Sequence, residues 1–241
     1  MRLLMFVFIS LLLFSSLVVA ADKVVFVVAA IPLGEADELI KAHLVKYGLL
    51  MDPHSQDEAQ PVNISGASAV FVSESCSSGS IASAYKDTTI PVISTEFYII
   101  DDMGFALNET LSNQDHRTIV ITNPNDPIAG GLNGQIDVTT KATDLEEIQS
   151  CLGMKGDVKV VASLPNGNAC LMYYEKGSKS TDGSIVPARR IFVFPHSKAI
   201  PLLTDAGWGL LERSVLWALG MPMSDVKPEA SLATTWGSLK K

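Results

Sequence analysis

The chain has 241 residues, 47% hydrophobic and 18% charged. That is enough for one domain or two small ones with a substantial core, and it excludes a peptide, a disordered chain or a fibre. Its 18 Lys and Arg stand against 26 Asp and Glu, a net charge of -8, and no stretch gathers the basic residues into a stripe that could neutralise phosphates, so nucleic acid is not expected as a partner.

Met1-Arg2 precedes the apolar run from Leu3 to Phe14, which closes on Val18-Val19-Ala20-Ala21. A positive start, an apolar middle and small residues at the end describe a secretory signal peptide over residues 1–20. The alternative is an uncleaved anchor, since the run approaches the length needed to span a bilayer. Small residues at its end and a strand-like segment directly after Asp22 favour cleavage, leaving no membrane span. The expected destination is extracellular, by way of the endoplasmic reticulum. Asn63-Ile64-Ser65 and Asn108-Glu109-Thr110 fit the N-glycan acceptor pattern in polar surroundings. The ending Gly237 to Lys241 carries neither a lipid-anchor tail nor an ER-retention signal.

Lys23 to Ala30 is a continuous β-branched run, the pattern of a strand buried on both faces of a parallel sheet. After Pro32-Leu33-Gly34, helical spacing over Glu35 to Tyr47 predicts a helix with Gly48 as its stop. Strands are expected at Leu49 to Met51, Ala69 to Ser73 and Ile90 to Ser94, with a small-residue helix from Ser80 to Lys86. Four more strand-like runs follow at Thr118 to Thr122, Val158 to Ala162, Ala169 to Tyr174 and Arg190 to Phe194. Pro165 to Asn168 reads as a hairpin turn, and Gly130 to Gly134 as another turn. The last helix runs from about Thr204, its cap, to Leu219, ending at Gly220. This order predicts a single α/β domain over 21–223, with a flavodoxin-like open, mostly parallel sheet, antiparallel additions at one edge drawn from about 105–180, and a peripheral tail over 224–241.

There are three cysteines, Cys76, Cys151 and Cys170. An odd count in an oxidising compartment leaves one thiol over. A bridge between Cys151 and Cys170 would close a short loop and contribute about 3 kcal/mol, with Cys76 the unpaired thiol.

Val70 to Ser73 followed by Ser77-Ser78-Gly79, then Pro91-Val92-Ile93 and Asp101 to Gly104, resembles a domain of secreted bacterial proteins. Pro187 to Phe194, Leu203 to Trp208 and Val215 to Gly220 resemble its close, and are similar to the end of trehalose-utilisation (ThuA-like) proteins of the class I glutamine amidotransferase-like superfamily. The resemblance implies a flavodoxin-like fold and, in many relatives, attachment to carbohydrate-related modules; fold transfers better than function.

In that superfamily a cysteine sits on a tight strand-to-helix turn whose helix amino end favours thiolate. Cys76 stands in the corresponding place, yet its neighbours are Glu74, Ser75, Ser77 and Ser78 in place of a glycine-flanked elbow, and Glu74 would raise the thiol pKa. His196 follows the strand that ends at Phe194, where open sheets place their ligands. Pro195 replaces a family glycine there, and no His-x-Glu pair is present. Asp52, His54 and Asp57 read as solvated loop residues, so no metal site is expected; Asp101-Asp102 reads as a helix cap, and Trp208 and Trp217 as core packing. The segment from Ala29 to Gly34 has no phosphate-binding glycine pattern, and no cofactor is expected.

These residues point to a secreted, non-catalytic domain binding an extracellular ligand or partner, carbohydrate among the candidates, through Ser73, Glu74, Ser77, Gly79, Glu96 and His196. One rival is a cysteine-dependent hydrolase or amidotransferase relative, with Cys76 as nucleophile and His196 as proton shuttle. The other is an extracellular structural interaction module.

Overall fold

The computed structural model describes residues 21–110, 117–141, 150–224 and 226. The expected signal peptide and nearly all of the tail lie outside them. The elements in chain order are β1 (Lys23–Val28), α1 (Glu35–Leu44), β2 (Leu50–Ser55), β3 (Ala69–Val72), α2 (Ser78–Ile81), β4 (Val92–Ser94), β5 (Asn108–Thr110), β6 (Thr118–Ile121), β7 (Gly134–Asp137), β8 (Ser150–Leu152), β9 (Lys159–Ser163), β10 (Ala169–Tyr174), β11 (Arg190–Val193) and α3 (Asp205–Leu219).

They form one eleven-stranded sheet with the main order β2-β1-β3-β4-β11-β10-β9-β6-β7. The first five strands run parallel, in the 2-1-3-4-5 arrangement of flavodoxin-like folds. From β11 onward every pairing is antiparallel. The fold class is therefore the expected one, and the antiparallel additions lie at one edge. Strand β7 departs from the sequence reading: the turn expected to run through Gly134 instead ends there, and the chain pairs along Gly134–Asp137 with β6.

Pleat alternation divides the side chains of the sheet between two layers. Val24, Phe26 and Val28 of β1 join Phe71, Ile40 and Leu44 of α1, and Leu210, Leu211 and Val215 of α3 in one core. Val25, Val27, Val70 and Val72 face a second core with Ile81, Tyr85, Phe97, Phe105 and Phe192. The first layer is closed by the two full helices. α1 carries Glu35 and Glu38 in its first turn and Lys41 near its end, charges that suit its dipole. α3 begins where Thr204 Oγ1 accepts from Gly207 N at 3.2 Å, and stops at Gly220, whose φ of 73° is the left-handed conformation that glycine adopts without strain. Gly207 also lets α3 lie close to the sheet edge, since a Cβ there would stand 2.5 Å from the Val138 carbonyl oxygen.

The helices are joined by His43, whose ring stacks on Trp208 at 3.6 Å and whose Nδ1 lies 2.7 Å from Glu212, which also accepts from Tyr47. Trp217 packs on Tyr173 at 4.3 Å. Both tryptophans thus serve packing. The second layer is closed differently. The helix expected over Ser80 to Lys86 is a single turn, Ser78–Ile81, and loops supply the rest of the cover.

The expected disulfide is absent, and the three cysteines are buried free thiols. Cys151 pairs in register with Ala169, the residue before Cys170, so it shares the face of Ala169 in the second core. Register shifts along β10 mark a bulge, and Cys170 points with Leu171 into the first core. The sheet separates two sulfurs that are neighbours in sequence.

Candidate functional site

In a 2-1-3-4-5 sheet the crevice lies beyond the carboxyl ends of the strands, where β1 and β3 lead their connections away. Four segments meet there: the β1–α1 loop, residues 73–77 after β3, Thr95 and Glu96 after β4, and residues 194–201 after β11. Backbone bonds from Ser73 N to the Val27 carbonyl and from Thr95 N to the Val72 carbonyl extend the parallel pairing into this region.

The turn after β3 is built on hydroxyls. Ser73 Oγ donates to Asp37 Oδ1 at 2.5 Å and accepts from Ser75 N at 3.2 Å, while Cys76 N donates to the Ser73 carbonyl at 3.1 Å. Ser75 Oγ in turn accepts from Ala29 N at 3.1 Å. Asp37 is 2% exposed. Burial raises its carboxyl pKa above the ordinary value, opposed by the Ser73 and Ser75 hydroxyls and reinforced by Glu74 and Glu38.

Cys76, at the end of this turn, is 5% exposed. Burial pushes its thiol pKa well up, and the negative surroundings of Asp37, Glu96 and Glu74 push it further. A four-residue α2 offers little dipole to oppose them. Glu74 bridges the sheet: its N–H donates to Thr95 Oγ1 at 2.9 Å, one carboxylate oxygen lies 2.7 Å from His196 Nε2, and the other accepts from Ser197 N at 2.6 Å. His196 Nδ1 accepts from Lys198 N at 3.1 Å and faces Ser197 Oγ at 3.4 Å. With Nδ1 accepting from Lys198 N, the N–H on Nε2 is the one that donates to Glu74. Among the described residues no hydrogen bond joins His196 to Cys76. The two sulfur-chemistry candidates share a neighbourhood and do not form a dyad.

A cleft of about 480 Å³ opens beside them, lined by Gly34, Glu35, Asp37, Ser75, Ser197 and Lys198 among others. Of the residues singled out from sequence, Ser73 and Glu96 are buried supports; Glu96 caps the turn Phe97–Ile99 by accepting from Tyr98 N at 2.7 Å. Asp101-Asp102, expected to cap a helix, are exposed in the turn that follows. Ser77 and Gly79 are exposed outside the lining, and Ser77 N donates to Gln56. Glu74 and His196 stand behind the cleft through their bonds to Ser197 and Lys198. Asp37, Ser75, Ser197 and Lys198 were missed, although an aspartate one turn before Ile40 on the buried stripe of α1 was a legible signal. His54 is flanked by Asp52 and Glu58 at 3.2 and 3.0 Å, and Asp57 takes no part in that group.

No family model and no curated protein matches the chain. Solved structures are similar to it, two of them at low identity. One is PurLQS from Thermotoga maritima, 12% identical over 82% of this chain and 99% of that one, with a TM-score of 0.49. The other is the crystal structure of SMU.1228c, 11% identical over 80% of this chain and 81% of that one, with a TM-score of 0.46. The fold assignment rests on the strand order and directions described above.

Proposed function

We propose that the chain is an exported binding domain on a glutamine amidotransferase-like scaffold, without thiol catalysis, which takes a hydroxyl-rich ligand of the carbohydrate class in the cleft between the first turn of α1 and residues 196–201. One observation carries this reading: the thiol and the imidazole that an enzyme would pair are committed elsewhere, Cys76 to a buried acidic pocket and His196 to Glu74 and the Lys198 N–H. The positions of Cys76 after β3 and His196 after β11 support the scaffold assignment, ThuA-like relatives included. The lining supports the ligand class, because carboxylates accept from sugar hydroxyls while Ser75, Ser197 and Lys198 donate to them.

The test is a panel of immobilised neutral and acidic oligosaccharides probed with the folded chain, followed by titration calorimetry on any binder. Retention that falls at least tenfold in Ser75→Ala and Lys198→Ala supports the reading. It fails if no oligosaccharide is retained, or if Cys76 in the folded protein is alkylated by iodoacetamide at neutral pH as fast as a free thiol and a Cys76→Ser variant loses a measurable glutaminase or esterase activity.

A further inference from the structure

The long connection from β2 to β3, residues 56–68, is pinned at its middle. Tyr85 Oη donates to Gln60 Oε1 at 2.5 Å and accepts from Val62 N at 3.3 Å, and Val62 is buried in the second core, with Ile64 packed against it. Between these two apolar anchors Asn63 is exposed. Its Oδ1 accepts from Ser65 N at 3.0 Å, and its Nδ2 has no partner among the described residues. An Asn-Ile-Ser acceptor triplet is thus held in a surface loop on an exposed asparagine whose amide nitrogen is left without a partner among the described residues.

Asn108 contrasts with it. The Asn108-Glu109-Thr110 triplet is strand β5, its backbone laddered in register against Leu152, Cys151 and Ser150 of β8, and its side chains lie outside those described.

We infer that Asn63 is an N-glycosylation site of the folded, exported chain, an inference that rests on the proposed export. In the modification the Asn63 Nδ2 forms a bond to the anomeric carbon of a polyprenyl-pyrophosphate-linked oligosaccharide. The bond from that carbon to the phosphate oxygen breaks, the polyprenyl pyrophosphate departs with the electron pair, and the amide nitrogen gives one proton to a base of the transferase. No oxidant or reductant is involved. The loop accommodates the product because the glycan leads into solvent, while Val62 and Ile64 keep their places beneath it.

The experiment expresses the full chain in a glycosylating eukaryotic host, alongside a second form in which residues 1–20 are exchanged for an established leader. Secreted protein is treated with peptide N-glycosidase in isotopically labelled water, and the Asn63 peptide is read by mass spectrometry. The expected result is labelled aspartate at position 63 in the secreted protein, with the same single-glycan mobility shift lost in Asn63→Gln and Ser65→Ala and retained in Ser65→Thr. Secreted, folded protein whose Asn63 peptide is unmodified overturns the site and leaves the export reading standing. A native-leader chain kept inside the cell, with the exchanged-leader form modified at Asn63, overturns export and upholds the site.

Discussion

The two faces of the sheet solve one problem by different means. On the first face α1 and α3 satisfy most of their own backbone groups, so apolar contact over Phe26 and Phe71 does most of the sealing, and Arg213 of α3 supplies a buried donor to the Ile128 carbonyl at 2.8 Å. Among the described residues the second face has the single turn of α2 and the 3-10 turn Phe97–Ile99, and the loops that replace longer helices bring carbonyl oxygens into the interior that need donors from side chains. Arg190 is the main donor. It is 1% exposed, and its guanidinium donates to the carbonyls of Lys86, Thr88, Ile90, Ala188 and Arg189 at 2.5 to 3.1 Å. Burial lowers its pKa to about 10, still charged at neutral pH. Tyr174 Oη and Thr181 Oγ1 do the same for the Phe105 carbonyl at 2.8 Å each. A loop-covered face depends on polar side chains as much as on area.

If that contrast is right, Arg190→Leu is the most damaging single change, leaving several buried carbonyls without a donor at about 1–3 kcal/mol apiece. Urea unfolding is expected to show a loss of about 5 kcal/mol or outright failure to accumulate folded protein. A loss no larger than that of a surface substitution would remove the distinction between the faces. Phe71→Ala, on the helical face, is expected to cost about 3–5 kcal/mol through lost transfer energy and a cavity, with the second layer intact. Its aromatic edge contact with Phe26, ring centres 5.3 Å apart, goes with it.

The smallest effect concerns Asp37, where a helix of the first face meets the cleft. Its pKa is raised by burial, so its folded form holds a proton more tightly than the unfolded chain does. The associated stability is fully present below the ordinary aspartate pKa and is lost as pH rises through the raised value, at about 1.4 kcal/mol for each unit of the raise. Asp37→Asn keeps an oxygen for the Ser73 hydroxyl and is expected to flatten that part of the curve. Unfolding midpoints from pH 3 to 7 that fall in parallel for both proteins would show that Asp37 is not the group responsible.

Much of the scaffold was legible in the residue pattern. The β-branched run of β1, the Thr204 and Gly220 limits of α3 and the β9–β10 hairpin all depend on local rules of periodicity, capping and turn chemistry. The site was legible only in outline. Glu74 and His196 were picked out because they follow strands, yet their hydrogen bond spans 122 positions of chain and no local pattern shows it. Ser75, Ser197 and Lys198 were passed over because short polar residues in loops look alike until a cleft selects among them. The disulfide expectation failed for a related reason, since nearness in sequence does not tell which side of a sheet a sulfur takes once a bulge intervenes.

The sequence by itself determined the layered α/β architecture, because strands buried on both faces and amphipathic helices leave few ways to exclude water from so much apolar surface. Tertiary structure alone decided what the strand ends can do. Whether a thiol is a nucleophile or an inert core group depends on the dielectric and the charges around it, and those are supplied by Asp37, Glu74 and Glu96, which only the folded sheet brings together.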